Sequence, residues 1–474
     1  MKLLVIASLS AAVVAHDVHL NARQSGSSST ATAPSSASRS GTSSVSGTGA
    51  ATSAATSAAA ATPSGLTTLT FTPASTNPTA FPLESITANQ SSMPTIPLAS
   101  TPAAGETPPV SLAPPLPDAA AIAPASYPSM DTRPPLNSPE MDQWRQEVQN
   151  SGVPIPSISP TVAGGCPTNP QAVADNSRCW WTCSGCTRDT DISDCPDKLT
   201  WGLTYDDGPS FYTPNLLNYL DEQKLSATFF VVGSRGVQFP HTLQEEYMKG
   251  HQIAVHTWSH PALTTLSNDE IIAELGWTKK IIKDVTGVTP NMMRPPFGDI
   301  DDRVRNISIA MGKSGLTPVM WSRMDALHTF DTDDFDVHGG LTTSQQVMNN
   351  WNAIMGNASS RDSGFIVLEH DLFEETVELA TGYILPDALA RNPPLKIEPV
   401  IQCLNKPMSD AYIETNDNST NPPAASGVVT LSSGAPGSVQ ATGEATNGNG
   451  AMGLSSPSLL MVASALAFLA VSQL

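Results

Sequence analysis

The stretch LTWGLTYDDGPS, residues 199–210, runs from a β-rich apolar segment straight into two adjacent aspartates and a Gly-Pro turn. A turn of the Asx type needs one carboxylate, and two neighbouring carboxylates repel each other. The first seven residues read as a strand, so Asp206 and Asp207 stand at its carboxyl end. The chain then repeats the scheme. Residues 213–223 have the pattern of a helix, ATFFVVG (227–233) that of a second strand, 242–249 a helix stopped by Gly250, and HQIAVH (251–256) a third strand. Ser267 and Glu270 form a capping box that opens a long helix toward Thr286. Further strands are expected at 292–294, 317–321 and 365–370, with helices at 302–311 and 343–356. Such alternation over about 240 residues predicts an α/β fold with a barrel-like parallel sheet.

Outward from this core the composition changes. Residues 16–160 are dominated by Ser, Thr, Ala and Pro, and 407–449 return to the same bias. Segments so poor in large apolar side chains cannot offset their ordering entropy, so both are expected to be disordered, leaving a folded domain at 161–406. Residues 1–15 carry Lys2, an apolar run and small residues, the pattern of a secretory signal peptide. Residues 450–474 end in an uncharged apolar run, too short for a comfortable membrane span, preceded by small residues in TNGNGAMG. That layout predicts a removed glycolipid (GPI) anchor signal with Asn449 as the preferred attachment site and Asn447 or Gly448 next, the other readings being a frayed apolar end or a simple tail anchor. The Ser/Thr/Pro-rich stalk suits a cell-surface protein, whose membrane attachment would run through the anchor alone.

Asn-x-Ser/Thr sequons at Asn89, Asn306, Asn357 and Asn418 are expected to be usable in the secretory route. There the six cysteines predict disulfides rather than a metal knuckle in CWWTCSGC (179–186), with the pairing open among fifteen connectivities. A bridge from Cys403 back to the N-terminal cysteines would close the core. The formal charge of −20 argues against nucleic acid or an anionic membrane as partner, and is compatible with neutral or cationic polymers.

In barrels the chemistry collects where strands end. The residues there are Asp206, Asp207, His256, His260, Arg294, Asp325 and His370. His256 and His260, one helical turn apart in HTWSH, can face one way, and with one aspartate they make a three-ligand set that leaves a metal position open. A divalent cation would also account for the tandem aspartates, since one carboxylate can bind the ion while its neighbour stays ionised and acts as base toward water acidified by the metal. The same histidines would also suit a satisfied core histidine followed by a turn residue. Trp258, Phe297 and Trp321 stand near strand ends, either to stack on sugar faces or as core.

TYDDGP, HTWSH, RPPFG (294–298) and IVLEH (366–370) occur in the order and approximate spacing of the polysaccharide deacetylase (NodB homology) family, and most resemble its fungal chitin deacetylases. The resemblance covers about residues 199–401 and implies a distorted (β/α) barrel that hydrolyses N-acetyl groups with the help of one divalent metal. It implies zinc, with cobalt or manganese as alternatives, held by Asp207, His256 and His260. It further implies Asp206 as general base, Arg294 pairing with it, His370 as general acid, and the Phe297 N–H sharing the oxyanion. The family's Asp-x-x-Asp-Trp motif, whose first Asp supports the catalytic histidine, is expected at WSRMDALHTF (321–330). Asp325 fits the first position, while His328 and Thr329 depart from the pattern.

The reading is therefore a surface-anchored deacetylase of chitin or a related N-acetylated polysaccharide, with cell-wall glucan as a further partner. Another acetylated glycan is the alternative substrate. A wall protein that binds polymer without turnover is the alternative class.

Overall fold

The computed structural model describes residues 75–90, 95–311, 315–325 and 328–416, with the backbone of 433–434. The run 199–206 forms strands β1 (Thr200–Gly202) and β2 (Thr204–Asp206), interrupted at Leu203. Strands β3 (Thr228–Val231), β4 (Gln252–Val255), β5 (Met292–Met293) and β6 (Thr317–Pro318) follow β2 in a five-stranded parallel sheet in chain order. Strand β7 (Phe365–Ile366) and strand β8 (Lys396–Glu398) flank β1, also parallel.

The two sheets close on each other. Ser322, just past β6, donates its N–H to Ile366, and Leu368 donates to Phe330. On the other side Asp206 and His370 form a parallel bridge. The result is a distorted (β/α) barrel, with the polar strand ends gathered at one mouth, as the alternation predicts.

The helices lie close to their expected bounds because local signals set them. Helix α2 (Thr213–Gln223) has Pro214 in its first turn and ends on Lys224 in the left-handed region. Helix α3 (Gly233–Gln238) and α4 (Pro240–Met248) precede the turn at Gly250, where φ is +82°. Helix α5 (Asn268–Thr286) begins at Ser267 with both hydrogen bonds of the capping box and ends at Gly287. Helices α6 (Asp302–Ala310) and α7 (Ser344–Ser360) are capped by Asp301 and Thr343. Their inner faces pack on a core that includes Trp201, Tyr205, Phe229, Phe230 and Trp351.

The cysteines pair as Cys166–Cys183, Cys179–Cys186 and Cys195–Cys403. The last spans 208 residues and closes the barrel domain, as anticipated for Cys403. Among the described residues no helix is long and apolar enough to cross a membrane.

Two boundaries need correction. The disorder expected for 16–160 does not hold from residue 75 onward. Residues 75–90 and 95–160 form a belt over the outside of the helices, including helix α1 (Pro139–Asn150) against α5. Ile86, Val110, Leu116 and Met141 are buried in the core, and the ring of Trp144 meets Trp277 edge-on at 5.5 Å. Ser344 donates to the carbonyl of Leu83 and Tyr383 Oη to that of Phe81. Single apolar side chains seated between existing helices suffice here, where the sequence has too few for a core of its own. Likewise 407–416 are part of the fold: Tyr412 is fully buried, and its hydroxyl accepts the Ile253 N–H at 3.0 Å. The backbone of 433–434 pairs antiparallel with Thr187–Arg188.

Of the sequons, Asn89 is exposed and Asn357 half-buried. Asn306 is buried, its amide donating to the Pro154 carbonyl of the belt at 2.6 Å, so a glycan there is incompatible with this fold. The signal and anchor segments, residues 16–74, Asn418 and Asn449 lie outside the described residues.

Met141→Ala is expected to lower the unfolding free energy by roughly 2–5 kcal/mol, the usual cost of truncating a buried methionine. Chemical denaturation checks this, because the same change in a disordered stalk would cost nothing.

Candidate active site

The tandem aspartates point to different partners. Asp206, on the inner face of β2, receives Nη1 of Arg294 at 2.7 Å, and the same nitrogen reaches Thr204 Oγ1 at 2.9 Å. Arg294 is fully buried, lies 4.2 Å over the Phe230 ring and donates to the carbonyls of Val319 and Met320. Burial lowers the guanidinium's pKa while Asp206 raises it, and the charged form persists because it is paired.

Asp207 turns the other way, with φ at +78°. Its Oδ1 lies 3.3 Å from Nε2 of His256 and 3.2 Å from Nε2 of His260. The three residues offer ligand atoms within 4.8 Å of one another. His256 and His260 converge through a turn rather than a helix, with Thr257 at φ +65° and His260 at +56°. Nδ1 of His256 sits 2.8 Å from the Arg294 carbonyl, which can only accept, so the ring proton belongs there and Nε2 turns a lone pair toward Asp207. Asp207 Oδ1 is buried with no donor in hydrogen-bond geometry. A carboxylate oxygen facing an imidazole lone pair in a buried site is repulsive unless something positive lies between them. The donor set of one oxygen and two nitrogens suits a divalent ion such as zinc. Burial alone raises the Asp207 pKa; if His260 and then His256 carry protons in place of holding a metal, their charge outweighs it and holds the carboxyl well below its ordinary range, so Asp207 stays ionised only with a positive charge beside it.

The turn after Asp207 is braced by Asp371. Its Oδ1 accepts the Gly208 N–H at 3.1 Å and its Oδ2 the Thr213 hydroxyl at 2.6 Å. A Cβ at Gly208 would lie 2.2 Å from Asp371 Oδ2, so only glycine fits. Burial raises Asp371 to about 7.

His370 reaches the mouth through its bridge with Asp206. Its ring Nδ1 pairs with Asp334 Oδ1 at 2.8 Å, and Asp334 Oδ2 accepts the His370 N–H at 2.9 Å. Burial would lower the pKa of His370, but Asp334, then Asp207 and Asp206, raise it to about 10. A cation beside Asp207 would work against that rise.

The expected support from Asp325 is not found. Asp325 pairs with His328 at 2.8 Å on an exposed excursion spanned by a bridge between Arg323 and Thr329. The chain re-enters the barrel at Phe330, and an Asp-x-x-Asp spacing recurs as Asp331 to Asp334, followed by the aromatic Phe335. The second aspartate of that spacing, not the first, holds the histidine. Phe335 packs 5.1 Å from the His370 ring. DTDDFD (331–336) carried the signal, in the same spacing six residues on.

Phe297 adopts φ +59° and sets its ring 4.6 Å from His260. The RPPFG turn that holds it is fixed by the disulfide-linked segment. The Trp180 indole donates to Asp299 at 2.7 Å, and the Trp181 ring occupies the space a Cβ at Gly298 would need. Trp258 is fully buried and Trp321 nearly so, which makes them core rather than sugar platforms.

A family profile described as polysaccharide deacetylase matches residues 193–316. Chitin deacetylase 1 of Cryptococcus neoformans var. grubii is 51% identical over 359 residues, spanning 74% of this chain and 74% of that protein. The chitin deacetylase of Amylomyces rouxii is 42% identical over 227 residues, covering 46% of this chain and 51% of that protein. Among solved structures, the chitin deacetylase of Colletotrichum lindemuthianum aligns with a TM-score of 0.42 and 24% identity, over 49% of this chain and 99% of that one.

Asp334→Asn removes the carboxylate that favours the imidazolium, so the pKa of His370 is expected to fall by about 1–3 pH units. The ring then loses its proton at lower pH than in the parent. Asp325→Asn should leave that value in place. NMR titration of the His370 ring in both variants checks the assignment.

Proposed function

The chain belongs to the polysaccharide deacetylase family, and from that premise we propose that it hydrolyses the N-acetyl groups of chitin, leaving glucosamine units of chitosan and releasing acetate. One observation carries this reading. The Asp207–His256–His260 set, the Asp206–Arg294 pair and the Asp334–His370 pair meet at one end of one barrel. A protein that only held polymer would need none of these buried charges.

Asp207, His256 and His260 would hold the divalent ion, zinc in the first instance. When bound, the ion supplies Lewis acidity at the acetyl carbonyl and lowers the pKa of water. The remaining work falls to the chain. Asp206, oriented by the Arg294 guanidinium at 2.7 Å, takes the proton of the attacking water. The N–H of Phe297 would share the developing oxyanion, whose charge needs a donor already in place. As the new C–O bond forms and the C–N bond breaks, His370 protonates the departing nitrogen, which leaves as the sugar amine. Asp334 holds the His370 ring and keeps its proton available at neutral pH.

We propose further that the enzyme passes through the secretory route to the cell surface and is held there by a glycolipid anchor near wall polysaccharide. The three disulfides support an oxidising compartment. The addresses themselves lie in residues outside those described.

Acetate release from chitin oligomers is the test, run beside a second acetylated glycan, in the presence of a chelator and after added zinc. Loss in chelator and recovery with zinc are expected. Turnover only on the second glycan would replace chitin as the substrate, and binding without acetate would leave a wall protein. Asp206→Asn should keep nearly full metal content yet lose about 10²–10⁴-fold in rate, the span of general-base catalysis. His260→Ala should lose metal and rate together. Equal metal loss in both variants would exchange the roles of the two aspartates.

A further inference from the structure

We propose that the belt is part of the metal centre's support, through Tyr127 and the carbonyl of Ser129 acting as positioning groups on Trp258. The proposal rests on the reading of Asp207, His256 and His260 as metal ligands. His256 and His260 are separated by Thr257, Trp258 and Ser259, and the turn contains two non-glycine residues in the left-handed region, Thr257 and His260. Such conformations persist only when their surroundings over-determine them.

From the barrel side the turn is held by Glu274 of α5. Its carboxylate accepts the N–H groups of Trp258 and Ser259, each at 2.8 Å, and the Ser259 hydroxyl at 2.6 Å. Two neighbours confine the Trp258 side chain. At Gly233 a Cβ would come within 2.6 Å of the indole. The Tyr127 ring lies nearly parallel to it, at 7° and 6.2 Å between centroids. The indole N–H donates to the carbonyl of Ser129 at 3.2 Å, across 129 residues of sequence.

Tyr127 is itself fixed to α5, its hydroxyl donating to Asp284 at 2.7 Å with Lys280 5.5 Å over its ring. Two residues past Ser129, Asp131 pairs with Arg235 of α3 at 3.1 Å. The belt thus closes the outer side of the residue that spaces the two histidines. Loosening it leaves the ligands present but no longer fixed at the separation a small ion requires.

The measurement is the zinc dissociation constant of the full chain, read by competition with a chromophoric chelator. Tyr127→Ala is expected to weaken zinc about tenfold or more, as loss of outer support does, while Tyr127→Phe, which keeps the ring, stays within about twofold of the parent. Trp258→Phe, which removes only the indole N–H and part of the ring, should weaken zinc in the same direction and guards against a Tyr127→Ala chain that fails to fold. Zinc affinity unchanged in folded Tyr127→Ala and in Trp258→Phe, with only thermal stability lowered, would overturn the inference and leave the metal site standing. A parent chain that takes up no zinc would instead overturn the metal-site reading on which it rests.

Discussion

The contact between Arg294 and Asp206 sets the terms for the rest of the barrel mouth. A guanidinium with no exposed surface cannot shed its proton, so it must be paired or it costs several kcal/mol. Its partner is the first of two adjacent aspartates, and its own carbonyl fixes the tautomer of His256. One arginine therefore orients both halves of the centre. It also answers why two carboxylates stand side by side. The backbone at Asp207 turns left-handed, so Asp206 faces the Arg294 guanidinium while Asp207 faces the two imidazoles, where a bound cation would offset its charge.

The mouth is costly to build. Asp207, Thr257, His260 and Phe297 all sit at positive φ without being glycine, and all four lie within the candidate site. Strain of this kind needs bracing. Asp371 braces the first turn, Glu274 the second, and the disulfide-linked Trp180 and Trp181 the third. The braces come from a strand end, a helix and the N-terminal segment, so no single element carries the geometry.

Most of the barrel was legible because its signals are local. The Ser267–Glu270 capping box, the apolar strands and the turn at Gly250 each act within a few residues. The candidate ligand set was legible in part from the chemistry of two imidazoles and an aspartate at strand ends, while the choice of Asp207 over Asp206 came from the family resemblance. Asp334 was missed for a different reason. Spacing along the chain counts residues, whereas the barrel counts only those in the ladder. The excursion carrying Asp325 and His328 stands outside the ladder, so a count along the chain stops short of Asp334. The belt was missed because periodicity averages over a window. Ile86, Val110, Leu116 and Met141 are buried singly and far apart along the chain, leaving a sequence that averages to a linker.

The belt is made before anything it touches. Phe81 precedes the tyrosine that binds its carbonyl by 302 residues, and Leu83 precedes Ser344 by 261. During synthesis these contacts cannot form until the helices that receive the belt exist. A conventional amphipathic segment waiting that long would present sticky apolar surface to its neighbours. Serine, threonine and proline with isolated apolar anchors remain soluble while waiting and still have something to insert at the end. The composition that resembles a linker is what a late-docking strap emerging first requires.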